Sequence, residues 1–242
     1  MAKPNLEELK KTWEGRASSD PMFYIDTDVV DGDSKAFFEN GEKDVARFVD
    51  PFIVKNDWDA SALTALDLGC GMGRLSRALG RRFKSVHGFD ISETMIAQAK
   101  ACLSPEENHI HYFHTQGDNL KEAETASIDF VFSFIVLQHV PTAQIVLNYF
   151  KEFNRVLSPQ GKALVQVNGV QKPFSERFKL RIERSNKVPV LRRKLTIKVD
   201  PHSSMGVSFS EAGIRQLVQE AGLQLEEITG TGEQYMWLTL KK

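Results

Sequence analysis

The chain has 242 residues, 41% of them hydrophobic and 26% charged, with a formal net charge of −1. That length suits one large domain with a substantial core, and so neutral a balance gives no overall basicity of the kind that binds nucleic acid. Two cysteines, Cys70 and Cys102, exclude a disulfide framework, and the polar N-terminal stretch with no long apolar run points to a cytoplasmic protein.

In chain order, Asn5 to about Trp13 suits a short helix, followed by the loop GRASSDPMFYIDTDVVDGDS. A second helix is expected over KAFFENGEKDVARFVDPFI, straddling Gly41. The apolar run LTALDLGCG reads as a buried strand feeding a tight turn. RLSRALGRRF has helical periodicity, SVHGFD reads as a strand, and SETMIAQAKACL as a helix with Ser92 for its N-cap. HIHYFHTQ and SIDFVFSFIVLQ are expected strands, TAQIVLNYFKEFNRVLS a long helix, and GKALVQVNG a fifth strand. Near the C-terminus, SFSEAGIRQLVQEAGL is a helix capped by Ser210 and closed by Gly222, and QLEEITG and EQYMWLTLKK are successive strands. Strands alternating with helices from about 62 to 168 predict a parallel sheet wound by crossover helices. The two terminal strands can pair as a hairpin, which places one antiparallel strand in that sheet.

The stretch LDLGCGMGRL sets the functional question, because glycine-dense loops usually cradle phosphate. Gly69, Gly71 and Gly73 let a ligand lie against the main chain, but their spacing is not the dinucleotide fingerprint, and the Lys-Ser/Thr of a P-loop is absent. Asp90 ends the next strand some twenty residues on, where a carboxylate accepts two hydrogen bonds from a ribose diol. Asp118, in TQGDNL, follows the third strand, where a carboxylate can receive an adenine amino group. A ribose site without a phosphate site suggests a nucleoside whose 5′ side carries something else.

The ordered motifs ALDLGCGMGRLS, VHGFDISETMIAQAK, QGDNL, IDFVFSFIVLQHV, FKEFNRVLSPQGKALVQV and FSEAGIRQLVQEAGL resemble those of the class I S-adenosylmethionine-dependent methyltransferases. The resemblance covers roughly residues 60–242 apart from an insertion, and it is to the small-molecule branch (methyltransferase type 11) that includes the quinone-biosynthesis enzymes. It implies an α/β, Rossmann-like doubly wound sheet of seven strands, order 3-2-1-4-5-7-6, with the last strand antiparallel. It implies S-adenosylmethionine as cofactor and S-adenosylhomocysteine as product. Carried over residue by residue, Asp67 supports the loop, and Gly69, Gly71 and Gly73 pass close to the methionine and ribose. Asp90 holds the ribose hydroxyls, and Met72 and Ile91 flank the adenosine. Asp118 and the backbone of Asn119 face the adenine, while Ser133 and Phe134 lie near the sulfonium and the acceptor.

The resemblance divides the chain into an N-terminal helical cap, 1–55, and a core, 56–242, with a basic lid-like insertion at about 170–207. In the cap, Phe23 and Tyr24 are acceptor-pocket candidates, and Arg16 and Arg47, with Arg74 of the core, are candidates for the cofactor carboxylate. His139, in LQHVP, is the candidate general base, against the alternative that it only orients its loop. His109, His111 and His114 lack the partners that would close a metal site, so no metal is expected.

In the insertion, ten lysines and arginines between Lys172 and Lys198 face two glutamates, beside an apolar stripe of Phe174, Phe178 and Ile182. A packed lid, a site for an acidic acceptor that includes Arg192 and Arg193, and peripheral contact with an anionic membrane all fit that pattern, the membrane less well than the pocket; no nucleic acid partner is expected. The activity expected is methyl transfer to a hydroxyl or amine of a small molecule. The alternatives are a non-catalytic cofactor-binding or scaffold protein, or another transferase using the cofactor on the same fold.

Overall fold

The computed structural model describes residues 5–27, 32–170 and 206–242. The insertion residues Arg192 and Arg193, and the apolar stripe beside them, lie outside the described residues. The chain begins with α1 (Leu6–Ser19), which Asn5 caps by accepting from Glu8 N at 2.9 Å. The loop expected after Trp13 is largely helical instead. α1 runs on to Ser19, and Asp20 then accepts from Phe23 N at 3.2 Å to start α2 (Pro21–Ile25). Pro21 sits in the first turn of α2, where its missing N–H costs nothing and its fixed φ favours the helix.

The single helix expected across Gly41 is two, α3 (Ser34–Phe48) and α4 (Asp50–Lys55), with Pro51 in the first turn of the second. Gly41 sits inside α3 where the helix beginning at Arg74 crosses it: a Cβ on it would lie 2.3 Å from the carbonyl oxygen of Arg74.

The sheet comprises β1 (Thr64–Leu68), β2 (Ser85–Asp90), β3 (Ile110–His114), β4 (Ile128–Ser133), β5 (Leu157–Val167), β6 (Gln224–Thr229) and β7 (Met236–Lys241). Its order is β3-β2-β1-β4-β5-β7-β6, and β7 runs antiparallel to both of its neighbours. This is the strand order that the resemblance implies, and the antiparallel β7 agrees with the terminal hairpin expected from the sequence. The connecting helices are α5 (Arg74–Gly80), α6 (Glu93–Ala101), α7 (Ala143–Val156) and α8 (Glu211–Glu220). Ser92, Thr142 and Ser210 each accept from a backbone N–H of the helix that follows, as expected of N-caps.

Alternation along the strands gives the sheet two apolar faces. Leu66, Val131, Val165 and Leu238 pack with Phe150 and Phe153 of α7 and Ile214 of α8. Ala65, Phe130, Phe132 and Leu164 pack on the other face with Val45, Phe52 and Leu79. There Phe130 lies parallel to Phe83, with ring centroids 5.4 Å apart. The column continues through Phe132 and Trp237 to Phe134, just past the end of β4. The consequence for function is a rigid sheet whose parallel strands deliver their carboxyl ends to one edge.

Candidate functional site

At that edge a cleft of about 950 Å³, counted to its open mouth, lies above β1, β2 and β4. Its floor is Gly69, Cys70 and Gly71, one side is Asp90 and Ile91, and Thr115 and Gly117 follow from the end of β3. The opposite wall is Phe134, Ile135, Val136 and His139, with Tyr149 of α7 behind, and Leu9, Trp13, Tyr24 and Ile25 close it from above.

The floor is built from backbone. Gly69 and Gly71 have φ of 75° and 53°, left-handed conformations that side chains rarely adopt. That turn aims Gly71 N at Asp90 Oδ2, 2.9 Å away, while Asp90 Oδ1 accepts from Ser92 N at 2.9 Å. Part of the glycine requirement comes from the fold itself. A Cβ on Gly69 would lie 2.3 Å from Val136 Cγ2, and one on Gly73 would lie 2.1 Å from Tyr112 Oη. Gly73 does not reach the cleft; it caps α5.

Asp67 is buried behind the floor, where Ser76 Oγ donates to its Oδ2 at 2.6 Å. Burial pushes its carboxyl up to about 6, against the lowering influence of Ser76 and of the Arg74 charge. Burial also raises the Asp90 carboxyl, although the N–H groups of Ser92 and Gly71 pull the other way. A carboxylate in that condition gains from further hydrogen-bond donors. Burial, with Asp90 and Asp118 nearby, pushes the Tyr149 phenol up and keeps it neutral.

Of the other expected residues, Ile91, Phe134, Tyr24 and His139 line the cleft. Asp118, whose carboxylate accepts from Asn119 Nδ2, stands outside the wall with Asn119, and Gly117 represents their loop there. Ser133 is buried under the wall and Met72 packs beneath α1 and α3. Phe23 is exposed and packs edge-to-face with Tyr24, ring centroids 5.5 Å apart. Arg47 lies over Phe48, away from the cleft, and Arg16 lies over Trp13 and Tyr24 at 4.6 and 5.2 Å.

Arg74 does reach the cleft. Its Nη1 is 2.6 Å from Asp44 Oδ2 and 3.8 Å from Asp26 Oδ2, while its buried Nε has no hydrogen-bond partner among the described residues. The histidines of the β3 region serve structure: His109 and His114 meet the carbonyls of Gly80 and Ile91.

Among the residues that sequence reasoning missed are Trp13, Thr115, Ile135 and Tyr149. Trp13 meets the His139 ring edge-on at 5.8 Å. Its helix is tied down by Glu14, which accepts from Ser92 Oγ, and from Thr94 N and Oγ1 at 3.1 and 2.9 Å. Ile135 has φ of 59°, a strained value for a β-branched residue, which sequence does not display. Tyr149 belongs by periodicity to the buried stripe of α7, so it reads as core.

Comparison with known proteins agrees with this geometry. Residues 66–165 match the family described as a methyltransferase domain. The chain is 32% identical over 107 residues to phosphoethanolamine N-methyltransferase 2 of Caenorhabditis elegans, covering 44% of this chain and 24% of that one. It is 32% identical over 97 residues to a ubiquinone biosynthesis O-methyltransferase of Idiomarina loihiensis, covering 40% and 39%. The chain thus spans well under half the length of these curated relatives. Among solved structures, the magnesium protoporphyrin IX methyltransferase of Synechocystis PCC 6803 with bound S-adenosylhomocysteine superposes with a TM-score of 0.61 at 18% identity, over 96% of this chain and 98% of that one. Residues 66–165 thus match a methyltransferase domain, on a fold shared with that S-adenosylhomocysteine-bound methyltransferase.

Proposed function

Starting from this domain, we propose that the chain transfers a methyl group from S-adenosylmethionine to a hydroxyl or amine of a small-molecule acceptor. The observation that carries the reading is the pairing of the left-handed Gly69–Gly71 floor with Asp90 at the carboxyl edge of the sheet. The residues present suit the cofactor. Asp90 is a raised carboxyl that ribose hydroxyls would satisfy, and Arg74 Nε is a buried donor without a partner among the described residues, suited to a carboxylate. When bound, S-adenosylmethionine supplies an electrophilic methyl group on a sulfonium.

The chain's own residues do the rest by orientation and exclusion of water. Trp13, Tyr24 and Ile25 close the cleft from above, and Phe134 to Val136 form the wall an acceptor would lie against. His139 stands in that wall, where an imidazole can take the proton of a hydroxyl or ammonium acceptor. One curated relative is named an N-methyltransferase and another an O-methyltransferase, which supports oxygen or nitrogen as the methylated atom. The basic residues between 172 and 198 support an acidic acceptor.

Calorimetry with S-adenosylhomocysteine, NAD and ATP tests the cofactor: only the first should bind, and tighter binding of NAD would overturn the reading. Screening hydroxyl and amine acceptors for release of S-adenosylhomocysteine then finds the substrate. With it, His139→Ala should lower turnover by roughly a hundredfold and spare cofactor affinity. Near-normal turnover would leave His139 as an orienting residue only.

A further inference from the structure

A chain of side-chain hydrogen bonds runs from the end of β5 to His139. Gln166 is wholly buried on β5, and backbone groups, whose donor or acceptor character is unambiguous, fix its amide. Its Oε1 accepts from Ile135 N at 3.0 Å, and its Nε2 donates to the carbonyls of Val167 and Gln234, each at 2.9 Å. The same Nε2 also lies 3.2 Å from Gln138 Oε1, so its two hydrogens are shared among three oxygens. A nitrogen of Gln138 in that place would set donor against donor, so Gln138 presents its oxygen to Gln166. Its NH₂ group then meets His139 Nε2 at 3.3 Å. An NH₂ group only donates, so His139 Nε2 is the acceptor. A neutral imidazole that accepts at one ring nitrogen carries its proton on the other.

We propose that Gln166 and Gln138 are positioning residues that hold His139 neutral in the Nδ1–H tautomer, with Nε2 as its basic nitrogen. The proposal rests on the reading of His139 as a proton acceptor. A ring that takes a proton needs one nitrogen kept bare, and the long Gln138 contact is a placeholder that an acceptor O–H or N–H replaces. The proton then moves to Nε2, and its electron pair stays on the acceptor atom. The oxygen of the same Gln166 amide holds the N–H of Ile135, so one buried side chain fixes both the strained turn and the imidazole beyond it.

Long-range ¹H–¹⁵N spectra of the ¹⁵N-labelled protein distinguish protonated from bare ring nitrogens, and His139→Gln identifies the His139 signals by their loss. The expected result is a protonated Nδ1 and a bare Nε2. Gln138→Glu keeps an oxygen for Gln166 and turns a second oxygen toward the ring, so His139 Nε2 should gain a proton. A wild-type ring protonated at Nε2 overturns the proposal, as does a folded Gln138→Glu protein whose Nε2 stays bare. The wild-type spectrum decides by itself where Gln138→Glu does not fold. Because the tautomer is read without cofactor or acceptor, the two readings fail separately. The expected tautomer in a chain that binds no S-adenosylhomocysteine breaks only the functional reading, and protonated Nε2 in a chain that binds it breaks only this one.

Discussion

The two sides of the cleft are made from different materials. The side under Gly69, Gly71 and Asp90 is main chain: left-handed turns, N–H groups and one carboxylate that organises them. The side facing it is side chain, gathered from Trp13, Tyr24, Ile135 and His139 on separate segments. A backbone site needs a few residue types at close spacing, and it recognises the part of a ligand that stays the same. A wall of side chains can change its occupant by substitution without disturbing the turn below. Under the methyl-transfer reading proposed above, the fold would fix the cofactor and the wall would choose the acceptor.

The two sides touch at Gly69 and Val136, and the largest expected effect lies there. Gly69→Ala forces a side chain into φ of 75° and sets its Cβ 2.3 Å from Val136 Cγ2. The left-handed conformation costs about 1–2 kcal/mol, and the overpacking about 1–3 kcal/mol more. The expected outcome is a loss of about 2–5 kcal/mol in denaturant unfolding together with lost binding of S-adenosylhomocysteine. Adding Val136→Ala removes the two closest atoms, Cγ2 and Cγ1, and leaves Cβ at 3.0 Å, so it should restore part of the stability. A double variant no more stable than Gly69→Ala alone would place the whole effect in the backbone.

Asp67 belongs to the backbone side and gives it a pH signature. Its ordinary value of 3.8 is raised by burial to about 6, so the folded state holds the proton more tightly than the unfolded chain. Below 3.8 both states are protonated; as pH rises to 6 the unfolded chain ionises first, and stability is lost across that window. The size is about 3 kcal/mol. Asp67→Asn keeps an acceptor for Ser76 and does not titrate. The wild-type stability measured against that variant should therefore fall by about 2 kcal/mol between pH 4 and 6.5. Parallel pH curves would mean that Asp67 is ionised throughout.

The same contrast decides what sequence could show. The strand ends, the glycine turn and Asp90 are local patterns, and apolar alternation with N-caps at Ser92 and Ser210 marks the elements, while the strand order was legible only through the resemblance. Trp13 and Tyr149 were illegible for a physical reason. Each sits at a helical position where an apolar side chain reads as packing, and only the fold shows that the packing surface is a cleft. Ile135 carries its information in a backbone angle. The helix at Pro21 was missed because Asp20 and Pro21, a capping pair, stand among loop-forming residues. Asp118 shows the converse, since its position after β3 is right by pattern while Gly117 and Thr115 are the residues at the cleft.

Asp90 tests whether the backbone side acts through this carboxylate. Asp90→Ala should weaken S-adenosylhomocysteine by about 1–3 kcal/mol, the usual cost of losing a charged hydrogen-bond partner. Burial raises the Asp90 carboxyl, so its charge is present above that raised value and lost as pH falls through it. Affinity should accordingly decline in mildly acidic buffer in the wild type and stay flatter in Asp90→Ala. Calorimetry across pH checks both, and identical pH profiles would remove Asp90 from the ribose role.

The smallest effect concerns how α1 is fastened over the cleft. Burial acts to raise the Glu14 carboxyl, but hydrogen bonds from Ser92 and Thr94 outweigh it and hold the group below its ordinary value. Those bonds join α1, which carries Leu9 and Trp13 into the cleft, to the first turn of α6. Glu14→Gln removes the charge from a partly exposed helix N-terminus, so it should cost only about 0.3–1 kcal/mol of stability. The kinetic consequence is more telling. If α1 must lift for the cofactor to leave, S-adenosylhomocysteine should dissociate a few-fold faster from the variant in stopped-flow displacement. Entry should quicken by a similar factor, because opening is common to both directions. A faster exit with unchanged entry would mean that Glu14 supports the bound ligand through Ser92 and the Asp90 turn. In that event the roof would belong to the backbone side of the cleft.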